Sequence, residues 1–189
     1  FSKDDLSTTG QQQILDMIDP ELLPGGDVRS DFNKLPLTTA DLENVTNVTV
    51  CADPNEKLCS RYQEVKGDPS GATTFTDFQN LFGKSKADGG KAGFYFNLTA
   101  SGTSPAERVV SAQALLGFVL ITNTFTPGAS ICNNVGTGEE FVMNYLTGSG
   151  DPNLAQDLGM TGFGFGIDST TGNAVISRSL GAGLPASPS

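Results

Sequence analysis

The sequence contains no histidine and no tryptophan. Without histidine the chain lacks the commonest general base and the commonest metal ligand. A Ser-His-Asp triad and a His-ligated haem are therefore excluded. Cysteine is scarce: Cys51, Cys59 and Cys132 are all there is. A thiolate zinc site would need a fourth ligand, and the spacing of the three does not supply one. Cationic residues are few, with 11 Lys and Arg against 21 Asp and Glu and a net charge of −10. Such a chain repels phosphate backbones and anionic lipid, so no nucleic-acid partner is expected, though cations would be attracted. Long apolar runs are missing as well. The longest, Ala114 to Thr122, is strand-sized, far short of the roughly 20 residues of a membrane helix.

What is plentiful is glycine (23) and proline (10), which favours turns and short strands over long helices. A length of 189 residues is about one domain's worth and can bury a core. Residue 1 is Phe and polar residues follow, without the pattern of a signal peptide. The chain is therefore expected to be a mature, processed or excised piece.

Cys51 and Cys59 bracket the polar stretch Ala52-Asp53-Pro54-Asn55-Glu56-Lys57-Leu58, a natural loop for a disulfide. Cys132 is left over, either buried and free or paired with a segment outside the chain. Three sequons are candidate glycosylation sites: Asn44-Val45-Thr46, Asn47-Val48-Thr49 and Asn97-Leu98-Thr99. In a Thr-rich sequence chance also accounts for them.

Along the chain, Ile14, Leu15, Met17, Ile18 and Leu22 predict one short helix within Phe1 to Gly26, capped by Ser7, Thr8 or Thr9. Val45, Val48 and Val50 predict a short strand before the cysteine loop. Phe75, Phe78, Leu81 and Phe82 recur at helical spacing, with Thr74 and Asp77 near the start and Gly83 after the end. Core packing is the expected role of these aromatics. After the polar stretch Lys84 to Lys91 the composition changes. Strands are predicted at Phe94 to Leu98, Arg108 to Leu115, Phe118 to Phe125, Glu140 to Leu146 and Ala174 to Leu180. Phe163-Gly164-Phe165-Gly166-Ile167 reads as a site of close backbone approach. Turn residues separate the strands in the manner of a meander. The predicted fold is mainly β. Residues 92–189 form partial β-propeller-like antiparallel blades, and residues 1–91 form a loop-rich region with short helices. About one blade and parts of its neighbours cannot close a ring, so open edges would be met by another polypeptide.

Gly93-Phe94-Tyr95-Phe96-Asn97-Leu98 is followed by Glu107-Arg108-Val109-Val110-Ser111-Ala112. Next come Phe118 to Thr124, Phe125-Thr126-Pro127-Gly128, Cys132, Gly136-Thr137-Gly138 and Tyr145-Leu146-Thr147-Gly148. In this order the series resembles a blade junction of the PilY family, large secreted proteins that accompany type IV pili. Gly183-Leu184-Pro185-Ala186-Ser187-Pro188 resembles the entry to a next blade. The resemblance covers residues 92–189, about half of the chain. It implies a modified quinoprotein-like propeller with roles in pilus assembly, tip adhesion and surface sensing, exported from a bacterium to the cell surface or the medium. It favours a structural role for Arg108. Some members hold calcium in an Asp/Asn-rich loop. Here Asp151, Asn153 and Asp157 supply oxygens, but no Asp-x-Asp-x-Asp-Gly run is present, so a plain solvated loop competes with a calcium site.

Three functions follow. The first is a non-catalytic, extracellular pilus-associated adhesion protein, a fimbrial component acting through edge strands and surface contacts. Its partners would be minor pilins, other filament subunits or the rest of a larger propeller. The second is a self-assembling extracellular filament subunit. The third is a fragment of a quinoprotein-type dehydrogenase propeller, resting on fold analogy alone. Adjacent Glu139 and Glu140 would point to opposite faces of a strand and so would not form a catalytic pair.

Overall fold

A computed structural model of the chain describes residues 10–18, 37–100, 106–128, 135–157 and 166–186. The fold is mainly β, with antiparallel sheets and few helices. Among the described residues no closed barrel or propeller ring forms.

The first sheet has three strands. β1 (Gln13–Met17) pairs antiparallel with a strand far along the chain, Gly93–Asn97. Leu42–Asn44 forms β2, which runs parallel to that same strand on its other side. The helix predicted around Ile14 to Ile18 is therefore a strand. Ile14 is buried, while Leu15 and Met17 alternate outward. Two apolar residues on the solvent side imitate a helical face, and the pairing that overrides it lies 76 to 84 residues away.

β3 (Thr49–Val50) and β4 (Val65–Lys66) form a two-stranded ribbon around the cysteine loop. Helix α1 (Phe75–Leu81) follows, as its periodicity predicts. Thr74 caps it: the Thr74 hydroxyl oxygen accepts from the Asp77 N–H at 3.1 Å and donates to the Asp77 carboxylate at 2.6 Å. Phe75, Phe78, Leu81 and Phe82 are all buried, and the rings of Phe78 and Phe82 meet edge to face at 5.6 Å.

β5 (Gly93–Asn97) is the central strand already met. The second sheet then forms from β6 (Arg108–Val109), β7 (Ala114–Leu116), β8 (Val119–Thr126), β9 (Thr137–Asn144) and β10 (Ser177–Ala182). β8, β9 and β10 are consecutive antiparallel neighbours, with a register shift in β10 between Ser179 and Gly181, and β6 and β7 share the position on the other side of β8. The predicted strand Arg108 to Leu115 is broken because Ser111 Oγ, rather than a backbone carbonyl, accepts from the Asn123 N–H. Gly117 and Phe118 make a two-residue hairpin turn between β7 and β8, with Gly117 at φ +60°. Helix α2 (Pro152–Asp157) lies between β9 and β10.

One hydrophobic core joins the two sheets. Phe96 of β5 meets Phe141 of β9 at 5.3 Å between ring centres. Ile14, Val50, Val65, Phe78, Phe94, Leu120 and Met143 belong to the same cluster. Side chains from before and after residue 91 thus fill one interior. Central β8 is buried on both faces, since the segment 183–186 lies over its outer side. Asn123 Nδ2 donates to the Ala186 carbonyl, and the Gly183 N–H donates to the Gly136 carbonyl.

Candidate interaction surface

The β7–β8 hairpin carries the most exposed apolar group among the described residues. Leu115 and Leu116 on β7 and Phe118 in the turn point to solvent, with Leu116 72% and Phe118 66% exposed. Phe118 rests on Tyr145 at 6.0 Å, and the Tyr145 N–H donates to the Phe118 carbonyl at 3.0 Å. The tip is therefore braced from behind while its outer side stays open. β7 is also an edge: among the described residues its ladder partner is β8. An open backbone edge beside three large apolar side chains is what strand addition or hydrophobic docking requires. Val109 of β6 extends the same margin.

The disulfide lies elsewhere. Cys51 and Cys59 are bonded, as their spacing predicts, with Cα atoms 6.0 Å apart. The loop between them is organised by buried Asp53. Its Oδ1 accepts from the Asn55 N–H at 2.9 Å, and its Oδ2 accepts from the N–H groups of Lys57 and Leu58 at 2.8 and 3.0 Å. These bonds, led by that from Asn55, hold the Asp53 carboxyl below the usual carboxylate range. The turn Asp168 to Asn173 docks onto this loop, because the Gly172 carbonyl accepts from both Ala52 and Asp53 N–H groups. Between them lies an open polar groove of about 520 Å³, lined by Lys57, Ser60, Lys66, Thr170, Thr171 and Asn173. Ammonium, hydroxyl and amide groups there suit polar contacts.

The residues considered for calcium divide. Asp151 Oδ1 accepts from the N–H groups of Asn153 and Leu154, capping α2, and its Oδ2 accepts from Asn144 Nδ2 at 2.7 Å. Asn153 Oδ1 accepts from the Tyr62 hydroxyl and Gln63 Nε2 at 3.0 and 3.1 Å. Both residues thus present their oxygens to protein donors. Asp157 ends α2. Among the described residues no cluster of three or more Cys, Asp or Glu is suited to a metal ion. Cys132 and Phe163 to Phe165 lie outside the described residues.

Of the three sequon asparagines, Asn47 is exposed and the others are half-buried. Asn44 Oδ1 accepts from the N–H and hydroxyl of Thr46. Asn97 Oδ1 accepts from Gln13 Nε2 at 2.7 Å. Glu107, singled out with Arg108, is buried, accepting from the Thr124 hydroxyl and from the Thr99 N–H. Glu139 accepts from Ser177 Oγ and Glu140 pairs with Arg178 at 2.7 Å, two separate attachments of β9 to β10.

Asp53 drew no notice in the sequence, although Asp-Pro-Asn at the start of a cysteine loop is a turn signal. The exposed tip was hidden for another reason. Leu115, Leu116 and Phe118 belong to the longest apolar run, which reads as core until the hairpin turns them outward.

No helix among the described residues is long and apolar enough to cross a membrane. Comparison of the chain with protein-family models, with curated proteins and with solved structures found no match in any of the three.

Proposed function

We propose that this protein is an extracellular structural and adhesion component of the PilY kind, associated with type IV pili. It acts without catalysis, by docking on minor pilins or other filament subunits. In this reading the β7 to β10 meander is one propeller-like blade, whose exposed margin at β6, β7 and the hairpin tip is its contact surface.

One observation carries the reading: Leu115, Leu116 and Phe118 are each exposed on an edge hairpin. Burying three such side chains is worth about 1.5–3 kcal/mol each before the costs of association. Exposed apolar groups of this kind mark contact sites. The ordered motifs from Gly93 to Gly148 resemble those of the family, and the Cys51–Cys59 disulfide fits an oxidising, extracellular compartment.

The test is a pull-down of purified minor pilins and assembled filaments by the wild-type chain and by a Leu116→Ser/Phe118→Ser double variant. Wild type should capture a pilus component, and the variant should lose at least tenfold in affinity while unfolding at the same denaturant concentration. Equal capture by the two proteins, or none by either, would sink the proposal.

A further inference from the structure

Strand β2 carries a buried carboxylate at its centre. Glu43 is 1% exposed and lies in one rank across the first sheet with Phe94 and Asp16. Directly paired residues face the same side, so Glu43 borders the core beside the Phe94 ring. Its Oε2 is well served: Ser70 Oγ donates to it at 2.6 Å, and Lys91 Nζ stands at 3.4 Å. Its Oε1 is buried and has no hydrogen-bond partner.

The turn 67–72 presents a second incomplete carboxylate. Asp68 Oδ2 accepts from the Ala72 N–H at 2.7 Å, closing the turn, while its Oδ1 is also buried and has no partner. The Ser70 bond sets this turn against Glu43, and the Asp68 carboxylate acts on the Glu43 carboxyl by charge and by hydrogen bonding. Two neighbouring carboxylates, each with a buried oxygen that lacks a donor, are unstable when both groups are ionised. A single proton between them satisfies both. We propose that Glu43 and Asp68 share one proton, forming an acid-closed latch that fastens the turn 67–72 onto edge strand β2.

The surrounding charges are consistent with Glu43 as the holder of that proton. Burial raises the Glu43 carboxyl above its ordinary value, and the Asp68 charge adds to this, against the opposing pull of Ser70 and Lys91. Lys91 divides its ammonium between Glu43 and the Ala40 carbonyl. Lys86 pairs with Asp41. Asp16 lies across Phe94 in the same rank, two strands away, and is itself raised by burial. The folded state therefore binds a proton that the unfolded chain releases. Stability from the latch is complete below the ordinary Glu value of 4.5 and is lost as pH rises through the higher folded value. The latch stands on the core of the first sheet and is independent of any pilus partner.

The experiment is a titration of the Glu43 side-chain carboxyl carbon by NMR in the wild-type chain and in Asp68→Asn. In wild type Glu43 should titrate above 4.5. In Asp68→Asn an amide replaces the shared proton as donor, and the Glu43 midpoint should fall. Denaturation of Glu43→Gln, whose amide imitates the protonated acid, gives the second reading. The folded-to-unfolded ratio of wild type relative to this variant should drop as pH rises above 4.5, by up to about tenfold per pH unit for one proton. A Glu43 midpoint at or below 4.5 that does not move in Asp68→Asn would overturn the latch even if Glu43→Gln fails to fold.

Discussion

Asn144 and Asp168 close the same turn at two places in the fold. Each side-chain Oδ1 accepts from the N–H groups two and three residues ahead, Leu146 and Thr147 in one case, Thr170 and Thr171 in the other. Each backbone carbonyl accepts at 2.8 Å from a glycine four residues on, Gly148 or Gly172. The two sequences, Asn144-Tyr145-Leu146-Thr147-Gly148 and Asp168-Ser169-Thr170-Thr171-Gly172, share only the Thr and the Gly. The side chains differ in their further bonds. Asn144 Nδ2 donates to Asp151 Oδ2, whereas Asp168 Oδ1 accepts a third bond, from the Thr171 hydroxyl.

That difference predicts unequal substitutions. Asp168→Asn keeps the turn's acceptor and should leave the unfolding midpoint nearly unchanged at neutral pH. Asn144→Asp would set a second carboxylate against Asp151 and remove the donor at the start of α2. It should cost about 1–3 kcal/mol at pH 7, with partial recovery on acidification. Urea denaturation of both variants at two pH values checks this.

The turn glycines are predicted to be intolerant of alanine. Gly148 and Gly172 have φ of +64° and +73°. A Cβ at Gly148 would meet the Phe94 ring at 2.3 Å, and one at Gly172 would meet Cys59 Sγ at 2.9 Å. Either substitution should destabilise by at least about 2 kcal/mol, more than the left-handed backbone alone would cost. Gly117→Ala is the control, since φ is +60° there but no atom lies within 4 Å. It should lose only about 1–2 kcal/mol.

Removing the disulfide should cost about 2–3 kcal/mol, the range for a short closed loop. Cys51→Ser/Cys59→Ser, compared with wild type in denaturant with and without reductant, measures it. The reductant should move wild type and leave the double variant alone.

Asp41 predicts a loss of stability in acid. Lys86 and the Thr38 N–H bond to its carboxylate and lower it from 3.8 to about 2. The unfolded chain takes up the proton first. The stabilisation is therefore present above pH 3.8 and disappears as pH falls towards 2. Lys86→Ala should flatten this acid limb, read as unfolding midpoint against pH between about 2 and 4. The Glu43–Asp68 latch has the opposite sign and a higher pH window, so the two separate in one pH series.

Helix α1 was legible because everything it needs is local. Phe75, Phe78, Leu81 and Phe82 repeat at helical spacing, and Thr74 caps from the adjacent position. β8 and β9 were legible for a similar reason, since they are neighbours in sequence as well as in the sheet. β1 was not. Its apolar residues satisfy a helical pattern, and only the distant β5 makes it a strand.

The amino-acid order alone determined the disulfide loop, the amphipathic helix, the β8–β9 pair and the exclusion of histidine chemistry, because each depends on composition or on residues close together in the chain. Tertiary structure alone decided that β5 lies between β1 and β2, that Leu116 and Phe118 face outward, and that Ser70 reaches Glu43. Those outcomes come from contacts between distant segments competing for one interior, and no local pattern encodes which segment wins.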